Sequence, residues 1–250
     1  DAFGILNRLL PGQTLSARLG DQKVFEAVIA ALGLPLGWQK RLVQAFGDTA
    51  QLDALLESLV SPKPMTGLDA RVAGLLATGE EKVLVDYIDS VMQETGYSTN
   101  ASRAPQEIAR RLREKLALAA TRLPDDSFQL LKQFLSLQAP LSEASKTLSD
   151  FAEKAKLKLG VALADFDARV AALANGGVDL GSVTYGAAFG RPLDYYTGLV
   201  FEITQEGQTA VLAGGGRFDR LMTLLGAKDT IPAVGFSLWL DRIEAARTSA

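Results

Sequence analysis

A change of hydrophobic period at the glycine pair Gly176 and Gly177 limits this chain more than any other feature. Before the pair, apolar residues recur at the three- and four-residue spacing of helices. After it, short apolar stretches are punctuated by glycine and aromatic residues, as strands are. Asp21 suits a helix N-cap, Phe25, Val28, Ile29 and Leu32 follow at helical spacing, and Gly33 with Pro35 stops the helix. The same punctuation predicts helices over 38–46, 51–59, 68–77, 82–92, 105–121, 127–137, 142–157 and 162–174, with breakers such as SPKP, TGYSTN, LPDD and QAP between them. No fixed repeat period links these units, which argues against a helical solenoid. Three regions are therefore expected: 1–20 as the end of an upstream part of a core, 21–175 as a helical insertion, and 176–250 as the strand-rich core.

Composition narrows the chemistry. With 48% hydrophobic residues in 250, the chain can bury a substantial core. It has no cysteine and no histidine, so disulfides, thiolate metal sites, zinc centres and the usual histidine-based triads are excluded; no metal site and no cofactor is expected. A net charge of -3 gives no general attraction for nucleic acid, and no apolar run reaches the roughly 20 residues of a membrane helix. The reading is a cytoplasmic protein with no membrane partner. One helix, SRAPQEIARRLREKLALAA, concentrates Arg103, Arg110, Arg111, Arg113 and Lys115 opposite Ile108, Leu112 and Leu116. It reads first as a solvated face with Glu107 paired to Arg111, and second as a subunit contact or anion patch.

The second regime reads as strands over 181–187, 194–204 and 209–215, a helix over 218–226, a strand over 232–239 and a closing helix over 240–247. The short QEGQ connection implies antiparallel pairing. Alternation would place Asp194, Tyr196, Gly198, Val200 and Glu202 on one face and Tyr195, Leu199, Phe201 and Ile203 on the other: a polar platform over a packed back. Arg191 offers a planar donor fork for a carboxylate or phosphate, and Asp194 and Glu202 can receive an ammonium group or an imidazole N–H. Tyr195 and Tyr196 supply ring walls and hydroxyls, and Gly214, Gly215 and Gly216 let backbone approach a ligand. A small zwitterion fits this inventory.

FGRPLDYYTGLVFE, then AGGGRFDRL, then PAVGFSLWLDRI, in this order, resemble the histidine-recognition segments and motif 3 of class II histidine-tRNA ligases. The resemblance is close after Tyr185 and looser through the helices. It implies an α+β fold: a class II aminoacyl-tRNA synthetase-like antiparallel sheet flanked by helices, with a large helical insertion. It also implies that Arg191 contacts the acyl group of histidine, Tyr196 borders the imidazole pocket, and the glycine turn closes it.

Three departures point away from a ligase. Phe218 stands where the ligases carry a tyrosine, which removes a hydroxyl from the pocket, and Pro192 replaces a glycine in the loop that aims Arg191. In motif 3 Trp239, Leu240, Asp241 and Arg242 replace a glycine-containing GLER; the indole should fill space that ATP would use, leaving Arg242 to a salt bridge. No anticodon-binding domain is expected after motif 3. PLDYYTG and SLWLDR suit the regulatory subunits of ATP phosphoribosyltransferase better. That resemblance implies a subunit without catalysis of its own, which activates a short-form catalytic subunit, takes part in histidine feedback on the first step of histidine biosynthesis, self-associates as a dimer and has no use for tRNA. The competing readings are a fragment of a divergent histidine-tRNA ligase and a stand-alone amino-acid-binding module. The candidate histidine-binding residues are Arg191, Asp194, Tyr195, Tyr196, Glu202, Gly214, Gly215 and Phe218; Trp239 and Arg242 mark a blocked ATP-site remnant.

Overall fold

The computed structural model describes residues 1–62, 67–96, 104–191, 193 and 195–248. In chain order the elements are α1 (Ala2–Leu9), β1 (Leu15–Asp21), α2 (Gln22–Ala31), α3 (Leu36–Gln44), α4 (Thr49–Val60), α5 (Ala70–Thr78), α6 (Glu81–Glu94), α7 (Pro105–Ala120), α8 (Asp125–Leu135), β2 (Gln138–Pro140), α9 (Leu141–Lys154), α10 (Gly160–Asn175), β3 (Val183–Gly186), β4 (Leu199–Gln205), β5 (Val211–Arg217), α11 (Leu221–Leu224), β6 (Val234–Leu238) and α12 (Leu240–Thr248). They divide into two compact units, residues 1–55 with 125–250, and residues 56–124. The region 21–175, expected as one helical insertion, is thus split. Helices α2, α3 and α8–α10 belong to the unit that holds the sheet, and only 56–124 stands as a unit of its own.

The first unit is built on a six-stranded sheet in the order β2-β3-β1-β4-β5-β6. Every neighbouring pair is antiparallel except β1–β3, whose parallel pairing requires the long crossover that contains all the intervening helices. Strand β1, which the sequence reading left in an undefined upstream part, is central. Its Leu15, Ala17 and Leu19 alternate with Ser16, Arg18 and Gly20, and it pairs with β4 along its whole length. The sheet consequently has an apolar face carrying Ala17, Leu19, Tyr185, Phe201 and Ile203, and a polar face carrying Arg18, Glu202 and Ser237.

Helix α10 covers part of the apolar face, with Phe166 set edge-on to Tyr185 at 5.2 Å. A row of rings continues the core through the helices: Phe25 stacks on Phe46 at 4.8 Å and lies 6.4 Å from Phe134, which is 5.6 Å from Phe151. Where β1 meets α2, Asp21 caps the helix by accepting from the Lys23 N–H at 2.9 Å, as its sequence position foretold. The same carboxylate, fully buried, accepts from Arg169 of α10 at 2.5 Å, so one side chain ties strand, helix start and crossover helix together.

The second unit has a core of Leu76, Leu84, Ile88, Met92 and Ala109, with Ile108, Leu112 and Leu116 packed against it. Its basic helix is spent internally. Glu107 accepts from Arg111 at 2.8 Å and from Arg110 at 2.7 Å, Arg110 also pairs with Glu114, and Arg113 reaches Glu81 at 3.0 Å and the Gly79 carbonyl at 2.9 Å. The solvated-face reading of this helix describes what is seen; Arg103 lies outside the described residues. Among the described residues no helix is long and apolar enough to cross a membrane, and no cluster of acidic side chains is arranged to hold a metal ion.

Candidate functional site

The segment between β3 and β4 folds back across the polar face of the sheet, and two glycines far away in sequence make room for it. A β-carbon at Gly20 of β1 would sit 1.7 Å from the Phe189 carbonyl oxygen, and one at Gly47 would sit 2.5 Å from the Gly190 carbonyl carbon. Arg18 lies over the Phe189 ring at 5.0 Å and adds a side-chain clamp to these backbone contacts. Residue 191 therefore leaves a loop held from below by β1 and from the side by the turn after α3.

Arg191 then lies over Gly214 of β5, where a β-carbon would be 3.0 Å from its Nη1. That nitrogen donates to the Tyr196 hydroxyl at 3.1 Å, and Nε faces Glu202 of β4 at 3.5 Å. The guanidinium is also 5.8 Å from the centres of both the Tyr196 and Trp239 rings. Tyr196 is buried against Gly216, where a β-carbon would meet its ring at 2.9 Å. Burial pushes the Tyr196 phenol up from its ordinary range, and the charge of Arg191 opposes that shift. Tyr195, Tyr196 and Phe218 form one cluster of rings, at 4.8 Å between the tyrosines and 5.7 and 6.4 Å to Phe218.

Arg191, Tyr196, Glu202 and Gly214 are thus brought together, with Tyr195 and Phe218 as the adjoining wall. The alternation expected from 194 onward holds only from Leu199, where β4 begins, because Tyr195 and Tyr196 pack against each other before the strand starts. Gly215 is on the other side: its β-carbon would strike the Gly235 carbonyl oxygen at 2.2 Å and Phe236 at 2.5 Å, on the apolar face. Asp194 and Pro192 lie outside the described residues. Among the described residues Arg242 has no salt bridge; it donates to the Val211 carbonyl at 3.0 Å and lies 5.2 Å from the centre of the Trp239 ring, so two guanidinium groups lie near the indole.

Sequence reasoning missed the supports. Asp219 pairs with Arg217 at 2.8 Å and accepts from the Ala233 N–H at 3.2 Å, while its own N–H donates to the Thr197 hydroxyl at 3.0 Å. These bonds fix the turn after β5 against both β6 and the approach to β4. Chemically, the site offers a cation and an anion already paired with each other. A zwitterion entering between Arg191 and Glu202 would exchange that internal pair for two charge-assisted bonds of its own.

Comparison with known proteins settles the lineage. A family model described as histidyl-tRNA synthetase matches residues 83–243. A protein of Agrobacterium fabrum named ATP phosphoribosyltransferase regulatory subunit is 80% identical over 249 residues, covering 100% of this chain and 66% of that protein. The chain belongs to this family of regulatory subunits. A second member, from Rhizobium rhizogenes, is 68% identical over 249 residues, 100% of this chain and 67% of its own length. The chain spans about two thirds of the length of these regulatory subunits. Among solved structures, an ATP phosphoribosyltransferase regulatory subunit/histidyl-tRNA synthetase from Bacillus halodurans matches at TM-score 0.53 and 18% identity, over 98% of this chain and 47% of that one. A histidyl-tRNA synthetase from Nostoc sp. PCC 7120 matches at 0.55 and 15%, over 97% and 44%. These likenesses establish the class II synthetase-like fold of the regulatory-subunit chain.

Proposed function

We propose that this chain is the larger part of a non-catalytic subunit that activates a short-form ATP phosphoribosyltransferase catalytic subunit in the cytoplasm and carries histidine feedback to it. The observation that carries the reading is the 80% identity, along the whole chain, to a protein named as that regulatory subunit. The polar-face site supports the histidine part. Arg191 would take the α-carboxylate and Glu202 the ammonium group, with Asp194 as a second acceptor, and the Tyr195–Tyr196–Phe218 wall would border the imidazole. Phe218 offers that ring contact area and no hydroxyl. Trp239, with Arg191 and Arg242 at 5.8 and 5.2 Å from its ring centre, supports a lost nucleotide site, since an indole stands where a glycine would leave space.

Regulation is then linkage. Histidine held more tightly in one assembly state shifts the population toward that state, by no more than the difference in affinity between the states. Self-association of the regulatory subunit as a dimer belongs to the same proposal. The test is phosphoribosyl transfer from PRPP to ATP by the short-form catalytic subunit of the same organism, with and without the full-length regulatory subunit, across a histidine titration. Activity that appears only in the mixture and falls with histidine is the expected result. A mixture no more active than the catalytic subunit alone overturns the proposal, and charging of tRNA with histidine would then be assayed.

A further inference from the structure

A second concavity of the sheet-bearing unit lies apart from the polar-face site. It is an open cleft of about 1120 Å³ between α2, α3, the start of α10 and the short helix α11. Ala27, Ala30, Val43 and Leu159 are among the residues that line it, and Leu36, Val161, Leu193 and Leu224 border it while 73%, 83%, 41% and 65% exposed. Four large apolar side chains exposed around one concavity make it a surface suited to being covered.

The charges around the cleft do not balance. Its acids are Glu26 and Asp165, and both are engaged. Glu26 accepts from Gln22 at 2.9 Å and faces Arg220 at 3.7 Å, and Asp165 lies 4.0 Å from Lys23 and 3.9 Å from Arg169. Lys40 and Lys158 also line the cleft, and among the described residues neither has an acidic partner. An apolar trough with surplus positive charge is complementary to a segment that is apolar along one side and acidic along its flank. A small anion would answer Lys40 and Lys158 but would leave Leu36, Val161 and Leu224 in water.

We propose that this cleft is the groove in which an acidic, amphipathic helix of the catalytic subunit docks; the assignment rests on the regulatory-subunit reading above. It also gives the linkage a route. Leu193 lies two residues beyond Arg191 on the same loop, and Arg220 adjoins Asp219, which fixes the turn beside the site, so a helix seated in the cleft touches both segments that shape the amino-acid pocket.

The test uses the full-length protein in two variants, Leu36→Asp/Leu224→Asp and Lys40→Glu/Lys158→Glu, with binding to the catalytic subunit measured by sedimentation velocity and calorimetry at low and high salt. Each variant is expected to bind at least about tenfold more weakly, and the lysine reversal to lose the salt dependence of the wild type. Helical circular dichroism stays unchanged, because all four side chains lie at the surface. If the aspartate pair fails to fold, the lysine reversal decides alone. Wild type that binds while both variants bind equally well overturns the groove and leaves the regulatory reading standing. Wild type that does not bind the catalytic subunit at all overturns both. Variants that lose self-association yet keep the catalytic subunit assign the cleft to a second copy of this chain and also overturn the proposal.

Discussion

Replacing Arg169 by Met tests the joint between strand, helix cap and crossover. The Asp21 carboxyl is fully buried and Arg169 is 17% exposed, so the substitution removes the partner and leaves the anion where water cannot reach it. Breaking a buried pair in this way costs about 3–5 kcal/mol, and the partial exposure of Arg169 places the expectation near about 3. For a domain of this size that lowers the melting temperature by roughly 6–12 °C. The sign with pH follows from Asp21 itself. Burial raises its pKa above the ordinary carboxyl range against the pull of Arg169, and removing the arginine raises it further. A raised folded-state pKa gives stability that is present in acid and lost as pH rises through that value. The deficit of Arg169→Met should therefore be largest near neutrality and shrink as the carboxyl becomes protonated in both states. Asp21→Asn should cost less than about 2 kcal/mol, because an asparagine still caps α2 and Arg169 keeps Asp165 at 3.9 Å. Adding Asp21→Asn to Arg169→Met should then recover stability. Thermal and urea unfolding of the two single variants and the double variant, from about pH 8 to about pH 4, measure all of this. A double variant no more stable than Arg169→Met, or a deficit that does not change with pH, refutes the unpaired-charge argument.

Gly20→Ala should shift the Phe189 carbonyl, since 1.7 Å leaves no room for a methyl group, and with it the loop that aims Arg191; the expected cost is about 1–3 kcal/mol in unfolding together with at least about tenfold weaker histidine binding by calorimetry. Retained affinity would mean that the loop is held elsewhere. Glu107, held at about 2 by hydrogen bonds from Arg110 and Arg111, contributes helix stability that is complete above its ordinary 4.5 and is lost as pH falls toward 2; Glu107→Gln should flatten acid unfolding of the 56–124 unit across that window, followed by circular dichroism. The Tyr185 hydroxyl is buried and has no partner among the described residues, and burial raises its pKa far above the ordinary 10.0. Tyr185→Phe should stabilise by about 1 kcal/mol near neutrality, with an advantage that grows above pH 10.0, where the unfolded phenol ionises and the folded one does not; unfolding curves that cross in the opposite sense would refute it.

The helices were legible in the chain because each is punctuated by its own breakers: the predicted 162–174 appears as 160–175, and 105–121 as 105–120. Strands β4, β5 and β6 were legible from glycine and aromatic patterning, and their order from the short connection. Strand β1 was hidden because LSARLGD runs directly into α2 with no turn residue between, although Leu15, Ala17 and Leu19 already carried the two-residue period. The division into units escaped for another reason. Helical periodicity tells which face of a helix is buried but not against what, so α8–α10 read the same as α5–α7. At the candidate site, Arg191, Tyr196 and Glu202, which the fold brings together, stand out in the sequence by their charge and hydroxyl chemistry. Gly20, Gly47 and Thr197 were not, because a close backbone approach or a hydroxyl serving a distant turn leaves no local mark in the sequence.

Strand β5, between β4 and the edge strand β6, carries three successive glycines, and each gives way to a different neighbour: Gly214 to Arg191, Gly216 to Tyr196, and Gly215, from the opposite side, to Phe236. A second hollow of about 500 Å³, lined by Phe201, Ile203, Gly216 and Phe236, lies behind the strand on the apolar face. Only a single thickness of peptide therefore separates the charged groups in front from the hydrocarbon behind. With no side chain at these three positions, whatever lies against one face of the strand rests on the same peptide groups that line the other.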